Sequence, residues 1–329
     1  MTLPGDITAP EKRKNARKDN TRSGRFFVKD PDMGIQMELT SPAKLNLFLH
    51  VTGKRPDGYH DLFSLMAPIG LNDKIGIELR ETGIKIHCRH PDVPKDASNL
   101  AHRAAVLFFN ETGIHKGCEI TIEKNIPVAG GLGGGSSNAA AVLMGLNDLF
   151  EKPIETKRLF EMGLSLGADV PFFIFGKTAL AKGVGEILEP YCNLYPYYVI
   201  LILPGFHVST QYVFKNLNYG LTKTKKTHID SYFDKGVFDP RVHMHNDLES
   251  VTACKYEQIN YYKEMLDKNG AVNTLMSGSG PTVFGLYMNK SQAQNALLKI
   301  QKCIETAPSG TAGEETGKKP EAILTRIAE

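Results

Sequence analysis

The sequence predicts an α+β fold in two halves. Three observations carry this. Strand-like and helix-like segments mix with no internal repeat, a glycine-rich loop joins a strand to a helix near residue 130, and an apolar run at 197–203 marks a buried strand opening the second half. At 329 residues the chain is long enough for two domains and a sizeable core. The division is expected near 190–205, with domains at 35–195 and 196–329 behind a basic tail at 1–34.

In chain order, β-like pieces come first, at 35–39, 45–51, 74–79, 84–88 and 118–124, with apolar residues recurring at alternate positions. A helix is expected at 100–110, with Ser98 or Asn99 available as its cap. Past the glycine loop, one helix runs from Ala139 to Phe150 and another near 154–166. Beyond the strand at 198–203, residues 215–245 are polar and irregular, including Lys223, Lys225, Lys226 and the turn-forming Asp239-Pro240, and read as a surface excursion. Helical patterns at 247–268 and 291–304 bracket strands at 272–276 and 282–287. A Gly/Thr/Glu-rich loop at 308–320 then leads to a last strand at 322–327.

Composition narrows the function classes. Apolar residues make up 41% and charged residues 23%, the balance of a soluble globular protein. The longest apolar run is far too short to span a bilayer. The cysteines (Cys88, Cys118, Cys192, Cys254, Cys303) are scattered and never form C-x-x-C. That argues against a disulfide framework or zinc site and suits a reducing, cytoplasmic compartment. The net charge of +3 resides in residues 1–32, which hold eight Lys/Arg and five Asp/Glu, and no basic patch elsewhere points to nucleic acid. This tail lacks the apolar core of a secretory signal, carries acidic residues unlike a transit peptide, and is expected to be disordered, with Met33 and Met37 as alternative starts. Neither a membrane nor a nucleic acid is expected as partner. A monomer or homodimer is expected.

The most informative stretch is 127–138, Pro-Val-Ala-Gly-Gly-Leu-Gly-Gly-Gly-Ser-Ser-Asn, where Gly130, Gly131, Gly133, Gly134 and Gly135 crowd around Leu132. Glycines let backbone N–H groups approach an anion closely, and the start of a helix adds unpaired N–H groups and partial positive charge. Ser136 and Ser137 offer hydroxyls to the helix start, a phosphate or Mg²⁺. A flexible linker or a plain helix cap is the alternative. No lysine follows these glycines as a Walker loop requires, and Ser136 stands where a dinucleotide fingerprint from Gly131 needs Gly or Ala, which also argues against an oxidoreductase.

Two further features bear on chemistry. Alternation in 43–51 sets Lys44, Asn46, Phe48 and His50 on one face and Leu45, Leu47, Leu49 and Val51 on the other, with Lys44 and Asn46 about 7 Å apart. Lys44 is then either plainly solvated or placed to touch substrate. Asp169 stands in the otherwise uncharged run 166–175, where an acidic group is either a turn or cap residue or a functional carboxylate with a cationic partner.

The glycine loop resembles that of the GHMP kinases, small-molecule kinases that bind ATP without a Walker lysine. Four segments fit that family in order: 41–49 (Ser-Pro-Ala-Lys-Leu-Asn-Leu-Phe-Leu), the glycine loop, 166–173 (Leu-Gly-Ala-Asp-Val-Pro-Phe-Phe) and 276–282 (Met-Ser-Gly-Ser-Gly-Pro-Thr). The likeness runs from about residue 38 to the C-terminus. It implies an N-terminal domain resembling ribosomal protein S5 domain 2 and a ferredoxin-like C-terminal domain, with ATP and substrate meeting between them. It also implies ATP and Mg²⁺ as cofactors, Asp169 as base and Lys44 as its cationic partner. Pro127, Gly130, Gly131, Leu132, Gly133, Gly134, Gly135, Ser136 and Ser137 would bind ATP, and Asn99 matches a position near adenine, where a cap role serves equally well. The metal's ligands are not assigned.

Within the family, 54–60 (Lys-Arg-Pro-Asp-Gly-Tyr-His) and 167–173 are similar to the branch that phosphorylates the 2-hydroxyl of a cytidyl-methylerythritol diphosphate in the non-mevalonate isoprenoid pathway. That likeness implies Tyr59 stacked on the cytosine and His60 bonded to its edge. It gives the opposite face to Phe214, with Tyr212 as rival, and sets Asn46 beside the substrate. Homoserine- and mevalonate-type kinases share the loop but not the Tyr59-His60 and Lys44-x-Asn46 wording. A catalytically silent nucleotide binder needs neither Lys44 nor Asp169.

Overall fold

A computed structural model describes residues 25–30, 34–218, 237–306 and 319–328. Its first sheet is built around one long hairpin, β2 (Gly34–Lys54) against β3 (His60–Arg80). Around it lie β1 (Arg25–Asp30), β4 (Ile84–Cys88), β5 (Gly117–Glu123), β6 (Ala179–Gly183), β7 (Ile187–Pro190) and β9 (His245–Asn246), in the order β1-β2-β3-β5-β4. β3 spends its far half on β5 and its near half on β6, and β9 adds to β2 in parallel. Sequence reading finds only residues 74–79 of β3. In the near half, residues 63–69 are all buried because both faces are covered there, and a doubly buried strand shows no period of two.

Four helices cover one face of this sheet: α1 (Leu100–Thr112), α2 (Gly134–Leu149), α3 (Thr156–Leu166) and α4 (Val170–Phe175). Ala139, Ala140, Ala141, Val142, Leu143 and Leu146 of α2 pack with Ile75, Ile77, Ile120 and Ile122 of the sheet. Small alanines let α2 lie close. Helix α4 is absent from the sequence reading; a six-residue helix opened by Pro171 shows too few turns to display periodicity.

The second sheet orders β10 (Thr274–Met276), β11 (Val283–Tyr287), β8 (Tyr198–Leu203) and β12 (Glu321–Arg326), all antiparallel. With α8 (Gln258–Lys268) and α9 (Lys290–Thr306) on one face, this is the β-α-β-β-α-β order of a ferredoxin-like layer. β8 reads as a continuous apolar run because it is covered on both sides. Ile200 and Ile202 face the helices, while Val199 and Leu201, beside Phe284 and Leu286 of β11, face Leu45 and Leu47 of the first sheet. The remaining described helices are α5 (Thr210–Lys215), α6 (Pro240–His243) and α7 (Glu249–Lys255).

Two local readings are corrected. The single helix expected over 247–268 is two, α7 and α8, separated at Tyr256–Glu257. Within the tail expected to be disordered through residue 34, Arg25–Asp30 form a strand against β2; Phe26, Phe27 and Val28 are β-forming residues beside an open strand edge. Residues 1–24 lie outside the described residues, as do 219–236 of the polar excursion and 307–318 of the C-terminal loop.

Candidate active site

The strand β2 carries the first pieces of the site, and a β-bulge decides which side chains face it. Asn46 pairs with Met66 and Phe48 with Leu65, so Leu47 is an extra residue and the alternation flips there. Phe48 turns into the core beside Leu45 and Leu47, against the sequence reading that put it with Lys44. Leu49 turns the other way and joins Lys44 and Asn46 in lining a cavity of about 840 Å³.

Lys44 is 4% exposed. Its Nζ donates to Asn46 Oδ1 at 2.7 Å and stands 3.5 Å from Asp169 Oδ2. Asn46 is oriented in turn: its Nδ2 donates to Ser64 Oγ at 2.8 Å, and Ser64 Oγ donates to the Phe48 carbonyl at 2.6 Å. This directional chain fixes the ammonium against a strand backbone. Asp169 precedes α4 but makes no capping bond to it; its carboxylate faces Lys44 and the cavity instead. Its side chain is 38% exposed, more open than its apolar neighbours suggest, because Val170, Phe172 and Phe173 point into the core and leave Asp169 at the rim.

The glycine loop closes over Lys44. The Lys44 N–H donates to the Leu132 carbonyl at 3.0 Å, and a Cβ on Gly133 would stand 2.8 Å from the Phe173 ring and 3.2 Å from Lys44 Cγ. Gly131 has φ +74, and a Cβ there would meet the Ser277 carbonyl oxygen at 2.3 Å. Gly131→Ala is expected to cost about 1–2 kcal/mol from the left-handed backbone alone, and more from the clash. A lower melting temperature checks it; an unchanged melt contradicts the close approach.

A second cavity of about 360 Å³ lies over the same loop, lined by Asn99, Pro127, Gly130, Gly131, Leu132, Gly133, Gly134, Gly135 and Ser136. Gly131, Gly133 and Ser136 line both cavities, so the loop is the shared wall. Helix α2 begins at Gly134, earlier than the Ala139 expected, with Gly133 as its cap at φ +72. The serines therefore sit inside the first turn. Ser136 faces the cavities, but Ser137 is buried, and Ser41 Oγ lies 2.8 Å from both Ser137 Oγ and Asn138 Oδ1. Ser137 thus braces α2 on β2, and its side chain is not among those lining the cavities. Asn99 does cap α1, accepting from the Ala101 N–H at 2.9 Å and donating to the Pro94 carbonyl at 2.6 Å, while lining the cavity wall.

At the far end of the larger cavity, the turn at 55–59 hands the chain from β2 to β3 and presents Tyr59, 61% exposed. The His60 ring stacks on Phe214, with centroids 4.9 Å apart and planes at 24°. Burial, and then the charge of Lys54, holds the His60 pKa below its ordinary value, which keeps the ring neutral near pH 7. Phe214 lines the cavity; Tyr212 is outside its lining and has the Lys255 Nζ 4.5 Å over its ring. The fourth segment turns between β10 and β11, where Gly278 and Ser279 line the cavity and Ser277 Oγ donates to the Gly131 carbonyl at 3.1 Å.

Sequence reading misses the pair beneath the loop. Lys124 Nζ donates to Asp73 Oδ2 at 2.7 Å, both side chains nearly fully buried, and Asp73 Oδ1 accepts from the Asn125 and Ile126 N–H groups. Burial, against the opposing pull of Asp73, lowers the Lys124 pKa. A Cβ on Gly134 would lie 2.9 Å from Lys124 Nζ, so this ammonium supports the helix start and lines the smaller cavity. Nothing in the strand-end wording Glu123-Lys124-Asn125 distinguishes it from a solvated lysine.

Known proteins bear on these features. The GHMP kinases N terminal domain matches residues 99–177, and the GHMP kinases C terminal domain matches 239–305. The 4-diphosphocytidyl-2-C-methyl-D-erythritol kinase of Geobacter metallireducens is 45% identical over 265 residues, covering 80% of this chain and 94% of that one. The enzyme of the same name from Clostridioides difficile is 44% identical over 287 residues, 85% of this chain and 97% of that one. Among solved structures, a 4-(cytidine 5'-diphospho)-2C-methyl-D-erythritol kinase superposes with a TM-score of 0.70 at 33% identity, over 89% of this chain and 100% of that one. A homoserine kinase from Cytophaga hutchinsonii superposes at 0.69 with 17% identity, over 89% and 95%, a likeness of fold alone. Among the described residues no helix is long and apolar enough to cross a membrane. The fold, the glycine loop and these relatives converge: the chain belongs to the GHMP kinases, in the family of the 4-diphosphocytidyl-2-C-methyl-D-erythritol kinases.

Proposed function

We propose that the chain transfers the γ-phosphoryl group of ATP to the 2-hydroxyl of 4-diphosphocytidyl-2-C-methyl-D-erythritol. The observation that carries this reading is the Lys44–Asp169 pair, 3.5 Å apart, at the wall of the larger cavity beside the glycine loop. Phosphoryl transfer asks a protein mainly to position groups and stabilise charge. Asp169 accepts the hydroxyl proton as the substrate oxygen bonds to the γ-phosphorus and the bond to the β-phosphate oxygen breaks, releasing ADP. Lys44 pairs with Asp169 and steadies the transferring oxygens. Lys44 is positioned by Asn46, which also faces the substrate.

The phosphates of ATP lie along Gly130–Ser136, drawn by the loop N–H groups and the start of α2, with Lys124 beneath. Asn99 and Pro127 flank the base end of the same cavity. At the shared wall the oxygen donor is Ser136, whose side chain lines both cavities. Its hydroxyl would be offered to Mg²⁺, a hard cation that prefers oxygen and that, when bound with ATP, neutralises phosphate charge.

The cytosine rests on Tyr59, with His60 at its edge and Phe214 closing the other side. Base–aromatic stacking contributes about 1–3 kcal/mol, so Tyr59→Ala is expected to raise KM for the cytidyl alcohol about 5- to 150-fold with little change in kcat. Steady-state kinetics with that substrate at saturating MgATP test it. An unchanged KM removes Tyr59 from the base site, and with it the argument for a cytidyl substrate.

A further inference from the structure

Away from the catalytic pair, β9 lies parallel to β2 with His245 opposite Phe48 and Asn246 opposite Leu49. The Asp247 N–H then donates to the Leu49 carbonyl at 3.0 Å. This register brings His50, His245 and Asp247 together on paired backbone. One ligand atom from each lies within 4.8 Å of the other two. The imidazoles of His50 and His245 stack with centroids 4.8 Å apart and planes at 19°. Asp247 is buried; its Oδ2 accepts from the Val51 N–H at 2.8 Å, which leaves Oδ1 turned to His245 Nε2 at 2.7 Å.

We propose that His50, His245 and Asp247 form a zinc site that clips β9 onto β2. Two imidazoles and one carboxylate make a donor set for a borderline cation, with a fourth position for water, and a poor one for Mg²⁺, which prefers oxygen. Tetrahedral zinc with bonds near 2.0–2.1 Å wants ligand atoms roughly 3.4 Å apart. The His245–Asp247 contact opens by somewhat less than 1 Å as the metal replaces the hydrogen-bonding proton, and the His50 ring turns out of its stack on His245, because two nearly parallel rings cannot both aim in-plane lone pairs at one ion. The Val51 N–H orients the carboxylate as outer-shell donors do in metal sites.

The site reaches the catalytic centre through one residue. Asn246, between the two ligands, donates from Nδ2 to the carbonyls of Met276 and Gly278 at 2.8 and 2.7 Å. A Cβ on Gly278 would lie 3.6 Å from Lys44 Nζ. Zinc at this clip thus fixes the segment that holds the 277–280 turn against Lys44.

The test is calorimetric titration of the chelator-treated full chain with Zn²⁺ in the absence of nucleotide, alongside Co²⁺ absorption spectra. One equivalent is expected in the wild type. His50→Gln and His245→Gln should each weaken it at least tenfold, and Co²⁺ should give the visible bands of a tetrahedral nitrogen-containing site that the double variant loses. Zn²⁺ should also raise the melting temperature of the wild type and not of the double variant. Binding that persists unchanged in the double variant, or no saturable binding in the wild type, overturns the proposal and leaves His245–Asp247 a metal-free hydrogen bond. Kinase turnover of the two single variants in metal-buffered MgATP distinguishes this from the catalytic reading, since neither histidine lines the cavity.

Discussion

Replacing Asp169 by Asn lowers kcat by about 10²–10⁴ while the Kd for ATP stays within a few-fold, the range that a lost general base produces. The substitution keeps size and shape, and Asp169 makes no capping bond to α4 that the helix would miss. With its side chain 38% exposed, an amide there is not an unsatisfied buried group, so the melting temperature should hardly move. Asp169 stands 3.5 Å from Lys44, and a carboxylate held beside a fixed ammonium at the cavity wall can take a proton, whereas an amide cannot. Calorimetry with a nonhydrolysable ATP analogue and steady-state ADP release check both halves. A kcat within a few-fold of wild type means that the carboxylate is not the base.

Lys44→Met has a comparable effect on turnover and a different effect on stability. Removing a preorganised charge that faces the transferring group costs about 10²–10³ in rate. The methionine stem fills nearly the same volume between Gly133 and Phe173, but Asn46 Oδ1 loses its donor. An orphaned buried acceptor costs about 1–3 kcal/mol, so the melting temperature falls while the fold survives. Circular dichroism melts beside kcat/KM separate the two. A variant that melts lower yet turns over normally would make Lys44 a structural residue. The pair should also be non-additive, because both residues act on one transferring group: the double variant is expected to lose little more than the worse single one.

Much of this site was legible in residue types at short spacing. Gly130, Gly131, Gly133, Gly134 and Gly135 announce a backbone that something approaches closely, and Gly131 and Gly133 show the reason: a Cβ at either would strike Ser277 or Phe173. The Lys44-x-Asn46 spacing places the two side chains on one face, and they meet at 2.7 Å. The run at 198–203 reads as a buried strand because both its faces are covered.

What the sequence hides is long-range register. The bulge at Leu47 reverses the faces of Phe48 and Leu49, and only the pairing with β3 reveals it. Ser137 differs from Ser136 by 100° around a helix, which sends one hydroxyl to Ser41 and the other to the cavities. Lys124 and Asp73 are 51 residues apart and meet because β3 and β5 align there. His245 and His50 are farther apart still and meet because β9 crosses from the second half of the chain to pair with β2.

Acceptor choice is decided by ADP release from the full chain with MgATP and each of three alcohols: 4-diphosphocytidyl-2-C-methyl-D-erythritol, homoserine and mevalonate. Turnover with the cytidyl compound alone is the predicted result. Turnover with homoserine or mevalonate and not with the cytidyl compound would keep the phosphoryl-transfer chemistry of Lys44 and Asp169 and contradict the substrate assigned to Tyr59, His60 and Phe214. Tight ATP binding with no turnover on any of the three would contradict the enzymatic account itself.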